Sequence, residues 1–193
     1  KRREVYATTG PRIAVRFFAG RDYPVDILDS AALYADAVAS GVAMGGELSG
    51  DYKQSPEFVV MAERDPQGAN LDRIQIIKGW LDEAGQSHER VYNVAWSGER
   101  NLDAGGKLEP VGNSVDVETA SYENSIGASA LQVRWQDPEF DAGQSAFYYV
   151  RVLQIPTPRH SLYDAVALGR EGVEGHPDSI QERAYTSPIW YRP

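Results

Sequence analysis

Ala146-Phe-Tyr-Tyr-Val-Arg-Val-Leu-Gln-Ile155 is the stretch that decides the fold class. Its residues are largely β-branched or aromatic, and such side chains favour an extended, pleated backbone over a helix. Pro156 and Pro158 stop it, because proline fixes φ and cannot donate to a sheet ladder. Nothing in the run supplies a nucleophile, a base or a metal site, so it speaks for architecture. The chain closes on Ile180-Gln-Glu-Arg-Ala-Tyr-Thr-Ser-Pro-Ile-Trp-Tyr191. Arg183 to Tyr191 reads as a final strand interrupted by Pro188, which predicts that it is a sheet edge or is bent there.

Working outward, more strands follow. Arg12 to Phe18 alternates, with Ile13, Val15 and Phe17 on one face and Arg12, Ala14 and Arg16 on the other. Asp29 or Ser30 can cap a helix carrying Leu33, Ala37 and Val38 on one side, with Gly41 ending it in the left-handed conformation. Phe58 to Glu63 is a short, nearly continuous apolar strand, and Asp65 to Asn70 is a turn. A hairpin pairs Leu71–Leu81 with Arg90–Trp96 across Asp82 to Ser87, where Gly85 supplies the permissive turn position. It places Ile74 and Ile76 on one face. In the second arm Val91 faces one way, and Tyr92, Val94 and Trp96 the other.

Residues 97–114 are rich in Gly, Asn, Ser and Asp and read as a long loop. Strands are expected at Val115–Thr119 and Ala130–Trp135, a turn at Asp137–Gly143, and a short helix at Ser161–Leu168. About seven strands separated by turns, without a sustained βαβ alternation, predict a mainly β chain. The architecture expected is an antiparallel sandwich, immunoglobulin-like in broad outline, with one or two short helices and long loops.

Composition excludes several classes of function. The formal net charge is −9, from 28 acidic against 19 basic residues. No basic run exceeds Lys1-Arg-Arg3, so nucleic acid and anionic membranes are poor partners. No apolar stretch approaches the roughly 20 residues of a bilayer span. The absence of cysteine excludes disulfides, thiolate catalysis and Cys-ligated metal, while leaving bacterial cytoplasm and periplasm both open.

Arg3-Glu-Val-Tyr-Ala-Thr-Thr-Gly-Pro-Arg-Ile13, Gly41-Val-Ala-Met-Gly-Gly-Glu-Leu48, the Ala146–Ile155 strand with its proline tail, and the closing segment resemble the carboxyl-terminal part of the bacterial domain-of-unknown-function family 3604. The resemblance spans nearly the whole chain. It implies a longer protein that begins with a His-x-His-containing, hydrolase-like region related to the polymerase and histidinol phosphatase (PHP) superfamily. That region would hold a divalent metal on His, Asp and Glu residues and activate a water against an ester or phosphoester. This chain contains no His-x-His, and Arg2-Arg-Glu-Val-Tyr6 is expected to be the interior of an element already under way. Residues 1–10 are therefore expected to close an upstream hydrolase-like domain, residues 11–193 to form an accessory sandwich packed on it, and the chain alone to hold no cofactor.

The residues themselves offer weaker candidates. Gly41–Gly46 lacks the G-x-G-x-x-G spacing and reads as a cap and tight turn, its glycines serving close backbone approach. Asp137, Glu139 and Asp141 alternate like calcium ligands, but Ala142 stands where the loop needs glycine and Tyr148 where it needs the bidentate glutamate. His88, His160 and His176 fall in expected turns, too scattered to share a metal. Ser161, Thr186 and Ser187 have no base beside them and no nucleophile-elbow motif. Arg159, presented by Pro156 and Pro158 and followed by His160, is the candidate interface or anion contact; a paired structural contact is favoured over an anion site. Trp80, Trp96, Trp135 and Trp190, with Tyr148, Tyr149 and Tyr191, could instead line a sugar-binding platform. That alternative makes the chain a carbohydrate-binding or adhesion sandwich using exposed aromatics, and the observation that discriminates it is whether Trp80, Trp96, Trp135 and Trp190 are buried or form an exposed planar row.

Overall fold

The computed structural model describes residues 2–50, 52–172 and 174–193. In chain order its strands are β1 (Tyr6–Thr8), β2 (Ala14–Gly20), β3 (Gly41–Ala43), β4 (Glu47–Ser49), β5 (Glu57–Glu63), β6 (Leu71–Leu81), β7 (Ser87–Trp96), β8 (Ala130–Gln136), β9 (Ala146–Gln154), β10 (Thr157–Pro158), β11 (Ser179–Ile180), β12 (Arg183–Thr186) and β13 (Ile189–Arg192). The helices are α1 (Leu33–Ala39) and α2 (His160–Leu168), and a 3-10 turn spans Ile27–Asp29.

The long strand of the opening quotation, β9, is the axis of a seven-stranded sheet. One of its edges pairs with β6, and the other is shared end to end by β12 and β13. Outside these lie β7 on β6, β1 on β12, and β4 parallel to β13. The second sheet is antiparallel in the order β3-β2-β5-β8. The chain is thus a mainly β sandwich, as its strand pattern predicts.

Between the sheets lies one core of alternating inward residues: Val15, Phe17, Phe58 and Val60 from the smaller sheet meet Ile74, Ile76, Tyr148, Val150, Ile189 and Tyr191 from the larger. Phe58 is its centre, with ring centroids 4.5 Å from Tyr148 and 5.6 Å from Trp135. The continuous apolar run of β5 also has an explanation. Phe18 and Val59 face away from the sandwich into a second cluster with Tyr23, Ile27, Leu33 and Ala37. The α1 segment covers that outer face, so β2 and β5 are buried on both sides.

Several expectations are corrected. Pro188 neither ends an edge strand nor bends one continuous strand; it occupies the gap between β12 and β13, both internal. Val115–Thr119 is a turn, not a strand. Asp116 Oδ1 accepts the amides of Glu118 (2.9 Å) and Thr119 (3.3 Å), and such local side-chain bonds outcompete a ladder where Val117 finds no core to enter. Val38 is exposed, with Leu33 and Ala37 alone facing inward on α1. Ala32, rather than Asp29 or Ser30, stands at the α1 N-cap; Ser30 Oγ instead accepts the Ala32 amide and donates to Asp36. Gly41 does not close the helix in the left-handed region but opens β3. The β6–β7 hairpin forms with Gly85 at φ 77°, its turn held by Asp82 Oδ1 accepting the Ala84 and Gln86 amides. The second arm begins at Ser87 and carries a bulge: Ile74 faces Ala95 while Gln75 faces Asn93. The extra residue, Val94, reverses the alternation, so Tyr92 points into the sandwich and Trp96 out of it.

Residues 41–49 tie the two sheets together. The Met44 amide donates to Phe17 O (2.9 Å), the Gly45 amide to Pro188 O (2.9 Å), and the Trp190 amide to Gly46 O (3.1 Å). Gly45 sits at φ 84° against the Arg3 carbonyl, where a Cβ would collide with that backbone. Here the glycines do serve close approach of backbone to backbone. The segment before residue 11 is woven into this region: β1 pairs with β12 at Tyr6↔Thr186, and Tyr34 Oη on α1 donates to Glu4 (3.1 Å).

Candidate functional site

Alternation along β6 puts Ile74, Ile76, Lys78 and Trp80 on the inner face, so a lysine is driven into a position where apolar groups belong. Its side chain is 4% exposed. A cation so placed needs a partner, and the turn after β8 supplies one. Lys78 Nζ lies 2.6 Å from Asp137 Oδ2 and donates also to the Glu139 carbonyl at 2.6 Å. Tyr148 Oη donates to the same Asp137 oxygen (2.8 Å), the Glu139 amide to its other oxygen (2.9 Å), and the Asp137 amide to Ser55 Oγ (2.9 Å). Tyr92 Oη lies 2.8 Å from Glu139 Oε2 and 3.2 Å from Asp137 Oδ1.

Burial and then the Asp137 charge push the Tyr148 phenol far above its ordinary value. Burial and the Glu139 hydrogen bond do the same for Tyr92. Both phenols therefore stay protonated donors through the physiological range. The carboxylate expected to be a poor calcium ligand is instead the internal counter-ion of a lysine. Asp141 accepts the Gly143 amide (2.8 Å) and holds its own turn.

Trp80 leads from this cluster to the surface. It stacks on His88 (5.4 Å), which pairs with Asp82 (2.8 Å). His88 is thus a residue of β7, not of a turn. On the opposite, outer face of the same sheet end lies a groove of ≈ 630 Å³, walled by Leu81, Phe147 and Trp190 and edged by Glu89 and Arg192. Its floor is Gly79. Gly79 pairs with Phe147, and Phe147 with Trp190, and the Phe147 ring leans across the space a Cβ at residue 79 would fill. Trp190 remains 38% exposed. This size falls within the range of ligand pockets, and aromatic walls with a polar rim are their usual lining.

The four tryptophans do not form a row. Trp135 lies inside, 4.9 Å from Tyr92, and Trp96 faces outward with Nε1 bonded to the Arg100 carbonyl (2.9 Å). Trp80 and Trp190 lie near the same end of the larger sheet but on its opposite faces. Tyr148 and Tyr191 are core residues.

Of the two residues singled out in the sequence, His160 is exposed at the start of α2 and lines a shallow cavity with Thr9, Tyr122, Gln154 and Glu182. Arg159 stands at the α2 N-cap, its amide donating to Asp178 O (2.8 Å). Its side chain forms no ion pair with any described residue and does not line that cavity. Thr186 Oγ1 accepts the Val150 amide (2.9 Å), a structural use of the hydroxyl. His176 is exposed. Among the described residues no group of three or more His, Cys, Asp or Glu is placed to hold a metal ion. Sequence patterns assign Lys78 and Gly79 no part in a site and Tyr92 only a strand face. The lysine carried a legible signal, a charge at core parity between Ile76 and Trp80.

A family model described as "Protein of unknown function (DUF3604)" matches residues 1–193, the full length. The chain belongs to the DUF3604 family. No curated protein and no solved structure matched it. In this member of DUF3604 the geometry is a sandwich with a sealed lysine–aspartate lock and an aromatic groove at the same end of the larger sheet. No helix among the described residues is long and apolar enough to cross a membrane.

Proposed function

We propose that this chain is the accessory β-sandwich of a longer protein, supporting an upstream PHP-like, metal-dependent hydrolase domain that acts on an ester or phosphoester, and helping to shape its substrate cleft. The observation that carries the reading is the way residues 2–8 are fastened. The Arg3 carbonyl rests on Gly45, Glu4 is held by Tyr34, and β1 is hydrogen-bonded into the larger sheet. A domain joined through such a segment would be held in a fixed orientation, as a support that positions catalytic groups requires. Any divalent metal would then belong to the upstream domain. Elemental analysis of the longer protein, with a screen of p-nitrophenyl esters and phosphoesters, tests this. Stoichiometric metal with metal-dependent turnover supports the reading, and turnover without metal, or none on either substrate class, contradicts it.

A second reading rests on the groove. Trp190 and Phe147, with ring centroids 5.3 Å apart, beside Glu89, Arg192, Ser87 and Ser145 offer an aromatic face with polar rims, which suits a sugar ring. Quenching of tryptophan fluorescence by mono- and oligosaccharides, lost in Trp190→Ala, supports that reading; saccharides without effect on the wild type contradict it.

A further inference from the structure

Sheet register gathers positive charge on the outer face of the larger sheet. Arg73 on β6 and Arg183 on β12 both face Leu153 of β9, and Arg151 lies two residues along β9 on the same side. Arg151 is thus a diagonal neighbour of each, about 7–8 Å away, and Arg73 and Arg183 stand two strand spacings, roughly 10 Å, apart. Arg100 joins them from the loop after β7, its guanidinium 2.7 Å from Asp72 Oδ1. Four arginines thus share one region of a chain whose net charge is −9.

Their compensation is incomplete. Asp72, the bulged residue of β6, is fully buried and spends its oxygens on Arg100, Arg73 (3.0 Å) and the Gln181 amide (2.8 Å). It is the one carboxylate among the described residues that ion-pairs with any of the four. Arg151 donates Nε to Gln75 (2.8 Å). Arg183 reaches the Gln181 carbonyl and Tyr185 Oη, both at 3.3 Å. Arg73 Nε is buried with no hydrogen-bond partner among the described residues. Burial pushes the Tyr185 phenol up, but the Arg183 hydrogen bond, with help from Arg151, outweighs it and holds the phenol below its ordinary value. Half-buried like charges with spare donors in fork geometry suit an added anion.

We propose that Arg73, Arg151 and Arg183, with Tyr185 beside them, form a binding site for a tetrahedral oxyanion, a phosphate or sulfate group either free or esterified. The site lies on β6, β9 and β12, away from the aromatic groove, and does not depend on the proposed hydrolase partnership.

The experiment titrates the whole chain with inorganic phosphate, sulfate and phenyl phosphate at low ionic strength, against sodium chloride of matched ionic strength, reading thermal unfolding and arginine Nε–H resonances. The wild type should be stabilised by the dianions more than by chloride, with the Arg73 Nε–H signal shifting on saturation. Phenyl phosphate binding at least as tightly as phosphate marks an ester as the ligand, and phosphate binding the tighter marks the free ion. Arg151→Gln/Arg183→Gln should bind at least about tenfold more weakly. A wild type that responds equally to chloride and phosphate, or an Arg73 signal that stays still, overturns the proposal. The resonance readout needs no variant, so a misfolded double substitution would not rescue it.

Discussion

Lys78 Nζ and Asp137 Oδ2 lie 2.6 Å apart with side chains 4% and 0% exposed, joining the middle of β6 to the turn that follows β8. The contact spans the two sheets and is closed over by Tyr148, Tyr92 and the Glu139 backbone. Removing one partner would strand the other charge. Lys78→Met should therefore cost about 3–5 kcal/mol, and Asp137→Leu a similar amount, whereas the double variant should cost far less than their sum. Urea denaturation of the four proteins checks this, and additive losses would show that the pair does not act as a unit.

Ile74 is fully buried in the sandwich core, on the same face as Ile76. Ile74→Asp should cost several kcal/mol, about 3 or more, because it buries an unpaired carboxylate. A denaturation midpoint close to wild type would place that face in solvent.

Gly79 is the floor over which the Phe147 ring lies. Gly79→Ala should destabilise by about 1–3 kcal/mol through forced displacement of that ring. Adding Phe147→Ala should make the glycine substitution nearly free. Equal costs in both backgrounds would contradict the contact.

Asp65 accepts the Arg12 and Gln67 amides and pairs with the Arg12 guanidinium, and the Arg12 amide bond foremost brings its carboxyl down to about 2. An unfolded chain takes up this proton first, near the ordinary value of 3.8. Its stabilising effect is therefore complete above pH about 4 and lost as pH falls towards about 2. The stability gap between wild type and Asp65→Asn should shrink across that window. A gap independent of pH would show that the carboxylate is not held.

Much of the fold was legible because strand-forming composition, apolar runs and period-2 alternation are local signals. β2, β5, β6, β8 and β9 could each be recognised from their own residues. What could not be read were features set by pairing. Pro188 marked an interruption, but only the register shows β12 and β13 sharing one edge of β9. Val94 looks like any strand residue until its partner strand shows it to be surplus, and the surplus turns Trp96 outward. Asp116 and Val117 held a strand-like composition that local hydrogen bonds redirected into a turn.

The candidate sites were less legible. Arg159 and His160 stood out for their proline-stiffened setting, which is a local property. Lys78 with Asp137, 59 residues apart, and Arg73 with Arg151 and Arg183 become neighbours only through sheet topology.

Support of upstream catalysis by the sandwich is measured most directly as kcat/KM for a p-nitrophenyl ester or phosphoester in the longer protein and in the same protein ending just before residue 1. Metal-dependent turnover is expected in the longer protein, with a large loss of kcat/KM without the sandwich. An equally active and equally stable truncated protein would contradict it.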